Sequence, residues 1–208
     1  MKAVVYHADG PIAENFPKDT YKTLFKIFKE NVKTFNIPLV HITLQGHEGW
    51  GDENYFYDRD PAHIVYNREE LFLDFLKNAE DNVYWFAEPD HRLKHIFPPL
   101  ETDLALLVRQ DSTPITPSWR LAKKSAIPFF EEVFSYYDIE NKSWNSDSGA
   151  YIKMWEQIGS PIESGIINYN NMSIDLRPYK QYSMRKSGYS QQFKGLHKFE
   201  IIENNKIY

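Results

Sequence analysis

Asn82-Val83-Tyr84-Trp85-Phe86-Ala87-Glu88-Pro89-Asp90-His91 is the stretch that decides the fold. An apolar run of strand length feeds directly into two carboxylates separated by one proline. Strands buried on both faces have this continuous apolar character, and they belong to parallel sheets covered by helices. Carboxylates just past such a strand converge across a turn that proline stiffens. A hard divalent cation suits that pair, and a cation held there can neutralise the phosphates of a nucleotide. An acid-x-acid pair by itself is most often a plain turn.

The flanking sequence alternates in the same sense. Lys2 to His7 reads as a first strand. Thr20 to Phe35 carries Tyr21, Leu24, Phe25, Phe28, Val32 and Phe35 at the spacing of an amphipathic helix. Ile37 to Leu44 reads as a second strand, and glycine-rich Gly46 to Asp52 as a mobile loop near a site. Ile64 to Tyr66 reads as a short strand, and Asn67 as the N-cap of a helix over 68–78. His91 to Phe97 reads as a short helix stopped by Pro98-Pro99, and Leu104 to Arg109 as another strand. Helices are expected over 126–137, opened by Ser125 with Pro128 in the first turn, and over 149–158. The pattern weakens after about residue 160. The fold class expected is α/β: one domain over residues 1–208, a mostly parallel central sheet and helices on both faces. In such sheets ligands bind beyond the carboxyl ends of the strands. Both His7-Ala8-Asp9 and Glu88-Pro89-Asp90 fall on that edge.

Composition narrows the function. The chain has 208 residues, 42% hydrophobic and 25% charged, as a folded core requires. Aromatics reach 16%, a supply of stacking faces for sugars and bases, although most serve the core. The absence of cysteine excludes disulfides, thiolate zinc sites and thiol catalysis. No apolar run approaches the ~18 residues of a membrane span, and the N-terminus enters a strand pattern at once, so a cytoplasmic protein is expected. Net charge is −5, yet Leu176 to Phe199 contains six Lys and Arg and no acid, leaving the remainder at −11. Such a basic segment on an acidic body suits an anionic ligand, or is simply solvated. Tyr179, Tyr182 and Tyr189 interleave with these charges, which keeps nucleic acid open as a partner, with Arg185 and Lys186 as its contacts.

Three further constellations stand out. Asp147, in Trp144-Asn145-Ser146-Asp147-Ser148-Gly149, precedes a helix and serves either as an N-cap or as a group that orients hydroxyls or takes a proton. Gln192-Phe193-Lys194-Gly195-Leu196-His197-Lys198 joins a glycine that permits close backbone approach to two lysines. His47, Glu48 and Asp52 match no standard zinc spacing. Gly-x-x-x-x-Gly-Lys, Gly-x-Gly-x-x-Gly and Gly-x-Ser-x-Gly are all absent, which argues against common ATPases, Rossmann dehydrogenases and serine hydrolases.

Taken in order, these pieces resemble the GT-A glycosyltransferases, within them the glycogenin-like and galactosyltransferase-like group. Glu88-Pro89-Asp90 stands where that group has Asp-x-Asp. Asp147-Ser148 stands where it has Asp-Gln, and Gln192-x-x-Gly195-x-x-Lys198 where it has His-x-x-Gly-x-x-Lys. The resemblance runs from about residue 2 to 199. It implies a Rossmann-like GT-A domain that transfers a sugar from a nucleotide-diphosphate sugar, UDP-sugars included, to a hydroxyl acceptor, with a lean to retention of configuration. It implies Mn2+ or Mg2+ at Glu88, Asp90 and Gln192. His7, Ala8 and Asp9 would hold the nucleoside, and Gly195 and Lys198 the diphosphate. Asp147 would orient the donor sugar or the acceptor, with Arg120 a further donor contact. Residues 160–208 would form an irregular basic segment closing over the donor site. The two other expectations are transfer to nucleic acid and a sugar-nucleotide-binding protein of the same fold without catalysis, the latter suggested by Glu88 and Gln192 at metal positions.

Overall fold

The computed structural model describes residues 1–7, 20–60, 63–109, 115–137, 146–183, 188–192, 198 and 202–203. In chain order these form β1 (Lys2–Tyr6), α1 (Thr20–Lys33), β2 (Leu39–Leu44), β3 (Glu53–Tyr57), α2 (Ile64–Asn78), β4 (Tyr84–Ala87), β5 (His91–Leu93), β6 (Leu104–Val108), β7 (Ile115–Ala122), α3 (Ile127–Ser135), α4 (Ser146–Gln157), β8 (Gly165–Tyr169), β9 (Met172–Pro178), α5 (Tyr179–Ser183) and β10 (Ser190–Gln192).

Eight strands make one sheet in the order β3-β2-β1-β4-β7-β6-β9-β8. Only β7 and β8 run against the common direction of the other six. The carboxyl ends of β1, β2, β4, β6 and β9 therefore share an edge. Side-chain alternation splits the core in two. Val4, Val40, Ile42, Phe86, Leu106 and Ile174 face α2, α3 and α4. Ala3, Val5, Leu39, Trp85, Leu107 and Trp119 face the opposite way, toward Phe25 and Phe28 of α1 and toward Phe97 and Tyr182. Helices thus cover both faces, and β4 is buried along its whole length. Each fully enclosed Phe or Leu contributes about 1.5–3 kcal/mol relative to exposure.

Several local expectations give way to tertiary contacts. Ile64 to Tyr66 is not a strand but the start of α2, and Asn67 lies inside that helix. Its amide donates to Asp60 O at 2.7 Å and ties down the preceding loop. His91 to Phe97 is not a helix: β5 alternates buried His91, exposed Arg92 and buried Leu93, and pairs antiparallel with β10. The Asn31 side chain completes that pairing on the other side, accepting from Leu93 N at 2.6 Å and donating to Leu93 O at 3.0 Å. β3 forms an unforeseen edge strand beside β2.

The loop over 46–52 is anchored. Lys29 donates to Trp50 O at 2.9 Å and Gly51 O at 3.2 Å, and Asp52 accepts from Leu39 N at 2.9 Å. Residues 165–178, expected to be irregular, add β8 and β9 to the central sheet. The hairpin between them turns on Asn170 and Asn171, at φ 49° and 63°. Two consecutive left-handed asparagines are a two-residue hairpin signal that the sequence does carry.

Candidate functional site

β4 delivers its carboxylates at the carboxyl edge of the sheet. His91 N donates back to Glu88 O at 3.1 Å, closing a tight turn over Pro89 and Asp90. Asp90 is almost wholly buried and Glu88 remains partly exposed. The β5–β10 ribbon then brings in the distant C-terminal segment, because Gln192 pairs with His91 in register. The Gln192 amide nitrogen lies 2.6 Å from Glu88 Oε2 and 3.5 Å from Asp90 Oδ1. Its carbonyl oxygen accepts from Ser118 Oγ at 3.1 Å. Gln192 lies 104 residues from Glu88 and 102 from Asp90 in the sequence, yet the three side chains meet at one point.

Protein cations attend both acids. Lys198 Nζ lies 3.2 Å from Asp90 Oδ2 and donates to Tyr21 OH at 2.7 Å. Burial disfavours the Lys198 charge, but Asp90 and Tyr21 outweigh it and hold the ammonium's pKa above the ordinary lysine value. Arg68 of α2 donates to Glu88 Oε1 at 2.6 Å and to Glu69 Oε1 at 2.9 Å. Glu69 Oε2 in turn accepts from Arg120 of β7 and from Tyr151 OH of α4. Burial alone would raise the Glu69 carboxyl, but the Arg120 and Arg68 charges overcome it and keep it below the usual carboxylate range. Burial pushes the Tyr151 phenol up. The result is a chain of alternating charge, Arg120–Glu69–Arg68–Glu88, running from the face of the sheet covered by α2, α3 and α4 to the carboxylate turn.

An aromatic stack adjoins the charged cluster. His7, at the end of β1, stacks on Tyr21 with centroids 5.3 Å apart and planes at 12°, and on Trp50 at 5.4 Å. Trp50 continues onto His41 at 5.4 Å and 11°. His41 Nδ1 accepts from Trp50 N at 3.1 Å, so its Nε2–H donates to His7 O at 3.0 Å. Lys198 Nζ sits 4.6 Å above the Tyr21 ring, linking stack and cluster.

Glu88, Asp90 and the Gln192 amide are the groups here that could hold a divalent cation. Two carboxylates converge on the Gln192 amide, and that amide can present either its nitrogen or its oxygen. Ser118 tolerates both, since a hydroxyl donates and accepts. Among the described residues, no three His, Cys, Asp or Glu side chains gather as a metal-ligand cluster.

The other expected site residues fall out differently. Arg120 does not line the site. It is 1% exposed, enclosed by Phe72, Phe86, Phe130 and Tyr151 and engaged by Glu69. It neutralises Glu69 inside the fold. Asp147 lies in the first turn of α4, one helical turn before Tyr151. Ala8, Asp9 and Gly195 lie outside the described residues, as do Arg185 and Lys186.

The interleaved tyrosines are used in packing. Tyr182 is buried and stacks on Tyr189 at 4.7 Å, while Tyr179 lies under the Arg109 guanidinium at 4.1 Å. Nucleic-acid stacking therefore loses two of the rings that suggested it. Sequence reasoning missed Arg68, Glu69, Tyr151, Tyr21 and Trp50. A signal for Glu69 exists: it stands three residues from Tyr66 and from Phe72, on the apolar stripe of its helix.

Among the described residues no helix is long and apolar enough to cross a membrane. No family model matches the chain, and no curated protein matches it. A solved structure does: the crystal structure of a glycosyltransferase involved in the glycosylation of the major capsid of PBCV-1, with a TM-score of 0.59 and 12% identity, covering 100% of both chains. Full coverage at that identity speaks for architecture alone, and the chain shares its overall fold with that structure.

Proposed function

We propose that this protein transfers a sugar from a nucleotide-diphosphate sugar to a hydroxyl acceptor. The observation that carries the proposal is the meeting of Glu88, Asp90, Gln192 and Lys198 at the carboxyl edge of the sheet, beside the His7–Tyr21–Trp50 stack. Open α/β sheets bind ligands at that edge. An aromatic stack suits a nucleobase, and an acid pair with an adjoining ammonium suits a diphosphate.

The roles follow from placement. Tyr21, His7 and Trp50 bind the base, a role that the sequence resemblance extends to Ala8 and Asp9. Lys198 meets the diphosphate, a role that the sequence resemblance extends to Gly195. Glu88, Asp90 and Gln192 would hold Mn2+ or Mg2+, which when bound would neutralise negative charge on the departing diphosphate. Arg68 fixes one oxygen of Glu88, so the other faces Asp90 and Gln192. In the transfer, the bond from the anomeric carbon to the diphosphate oxygen breaks and a bond to the acceptor oxygen forms. The hydroxyl proton leaves to a base, for which Asp147 at the start of α4 is the proposed group. A UDP-sugar is the first donor to try.

The test is thermal stabilisation by UDP with Mn2+, in the parent and in Glu88→Ala with Asp90→Ala. A shift in the parent that vanishes in the double variant supports the site. An equal shift in both would show that UDP binds elsewhere. Donor hydrolysis or transfer across a panel of sugar nucleotides then separates an enzyme from a binding protein.

A further inference from the structure

The two carboxylates that face Gln192 both touch protein cations. Asp90, 2% exposed, has the Lys198 ammonium 3.2 Å away, and Glu88 has Arg68 at 2.6 Å. Lys198 is itself 9% exposed and is steadied by Tyr21, through the hydroxyl at 2.7 Å and the ring face at 4.6 Å. As it stands the cluster is charge-balanced without an added ion. A divalent cation arriving alone must share Asp90 with an ammonium. Displacing that ammonium strips a buried charge of its anion, which is costly. A diphosphate changes the balance, because its oxygens give the ammonium a new anionic partner as Asp90 is released. Once a cation separates it from the acids, Gln192 can turn its oxygen inward and keep Ser118, which serves either amide orientation.

We infer that Lys198 is a built-in counter-cation that guards the carboxylate pair. It holds Asp90 until a nucleotide diphosphate offers it another partner, so divalent metal and diphosphate bind as a coupled pair rather than independently. This rests on the donor-site reading above and adds an order to it. Coupling of this kind is reciprocal: whatever factor UDP contributes to metal affinity, metal contributes to UDP affinity.

The experiment is calorimetric titration of Mn2+ into the full chain, with and without UDP, in the parent, Lys198→Met, Lys198→Gln and Lys198→Arg. The parent is expected to bind Mn2+ weakly alone and about tenfold or more tightly with UDP, a usual size for coupling between sites. Lys198→Met should bind Mn2+ alone about tenfold more tightly than the parent and lose most of the coupling. Lys198→Arg, which keeps the charge, should behave as the parent. Lys198→Gln is the second neutral variant, should the methionine variant not fold, and is expected to match it. The inference is overturned if the neutral variants bind Mn2+ no better than the parent, or if UDP leaves the parent's Mn2+ affinity unchanged while itself binding. If UDP binds no variant with or without Mn2+, the donor-site reading falls and takes the coupling with it.

Discussion

Glu69 of α2 and Arg120 of β7 form an enclosed ion pair, the two residues 6% and 1% exposed. Breaking one side of such a pair strands a charge in the interior. Glu69→Ala is expected to cost about 3–5 kcal/mol in urea denaturation. The apolar double variant Glu69→Leu with Arg120→Met should lose much less. If the single and double variants are equally damaged, the pair is not what holds α2 to β7.

Acid should weaken the fold through the same residue. Arg120 and Arg68 hold the Glu69 carboxyl below its ordinary value despite burial. The folded state therefore binds fewer protons than the unfolded chain. The Glu69 contribution is complete above the unfolded carboxyl pKa of about 4.3 and is lost as pH falls through the lower folded value. Stability measured across that window should drop less steeply in the Glu69→Leu/Arg120→Met variant than in the parent.

His41 is committed to one tautomer, since Nδ1 accepts from Trp50 N and Nε2 lies 3.0 Å from His7 O. Nitrogen NMR of the imidazole should find the proton on Nε2 and none on Nδ1. His41→Phe leaves the Trp50 amide and the His7 carbonyl without this partner. The expected cost is about 1–3 kcal/mol, with a weaker response to UDP as the aromatic stack loosens. A proton on Nδ1 would contradict the arrangement of the stack.

Gly51 is required by close approach. A Cβ there would lie 2.5 Å from Glu53 O and 2.8 Å from His41 N, both backbone atoms that cannot step aside. Gly51→Ala should destabilise by about 1–3 kcal/mol, the usual range for overpacking. The adjacent Trp50 should move as well, which its fluorescence maximum would register. A variant as stable as the parent, with an unmoved spectrum, would remove the close approach.

Gln192 meets both carboxylates through a neutral amide. Gln192→His places an imidazole, a better first-row metal ligand, at that point. Mn2+ binding in the presence of UDP should tighten by roughly tenfold, and Gln192→Leu should weaken it. Calorimetry that finds the histidine variant no tighter would move the metal away from residue 192.

The sequence by itself determined the parts whose physics is local. An unbroken apolar run made β4 a buried strand, and Glu88-Pro89-Asp90 declared its turn. The spacing of Leu24, Phe25, Phe28 and Val32 made α1 amphipathic, and Pro128 marked the first turn of α3. The tertiary structure decided whatever depends on a partner distant in the chain. His91 to Leu93 is a strand only because Ser190 to Gln192 and Asn31 supply its hydrogen bonds. Glu69 and Arg120 show no partner in the sequence until the sheet brings them together across 51 residues, and Lys198 meets Tyr21 across 177. A buried charge is tolerable only beside its counter-charge, and hydrophobic periodicity carries no record of which distant residue that will be. The strand and its acidic turn could therefore be read directly. The cations that balance that turn, and decide how it meets a ligand, came only with the fold.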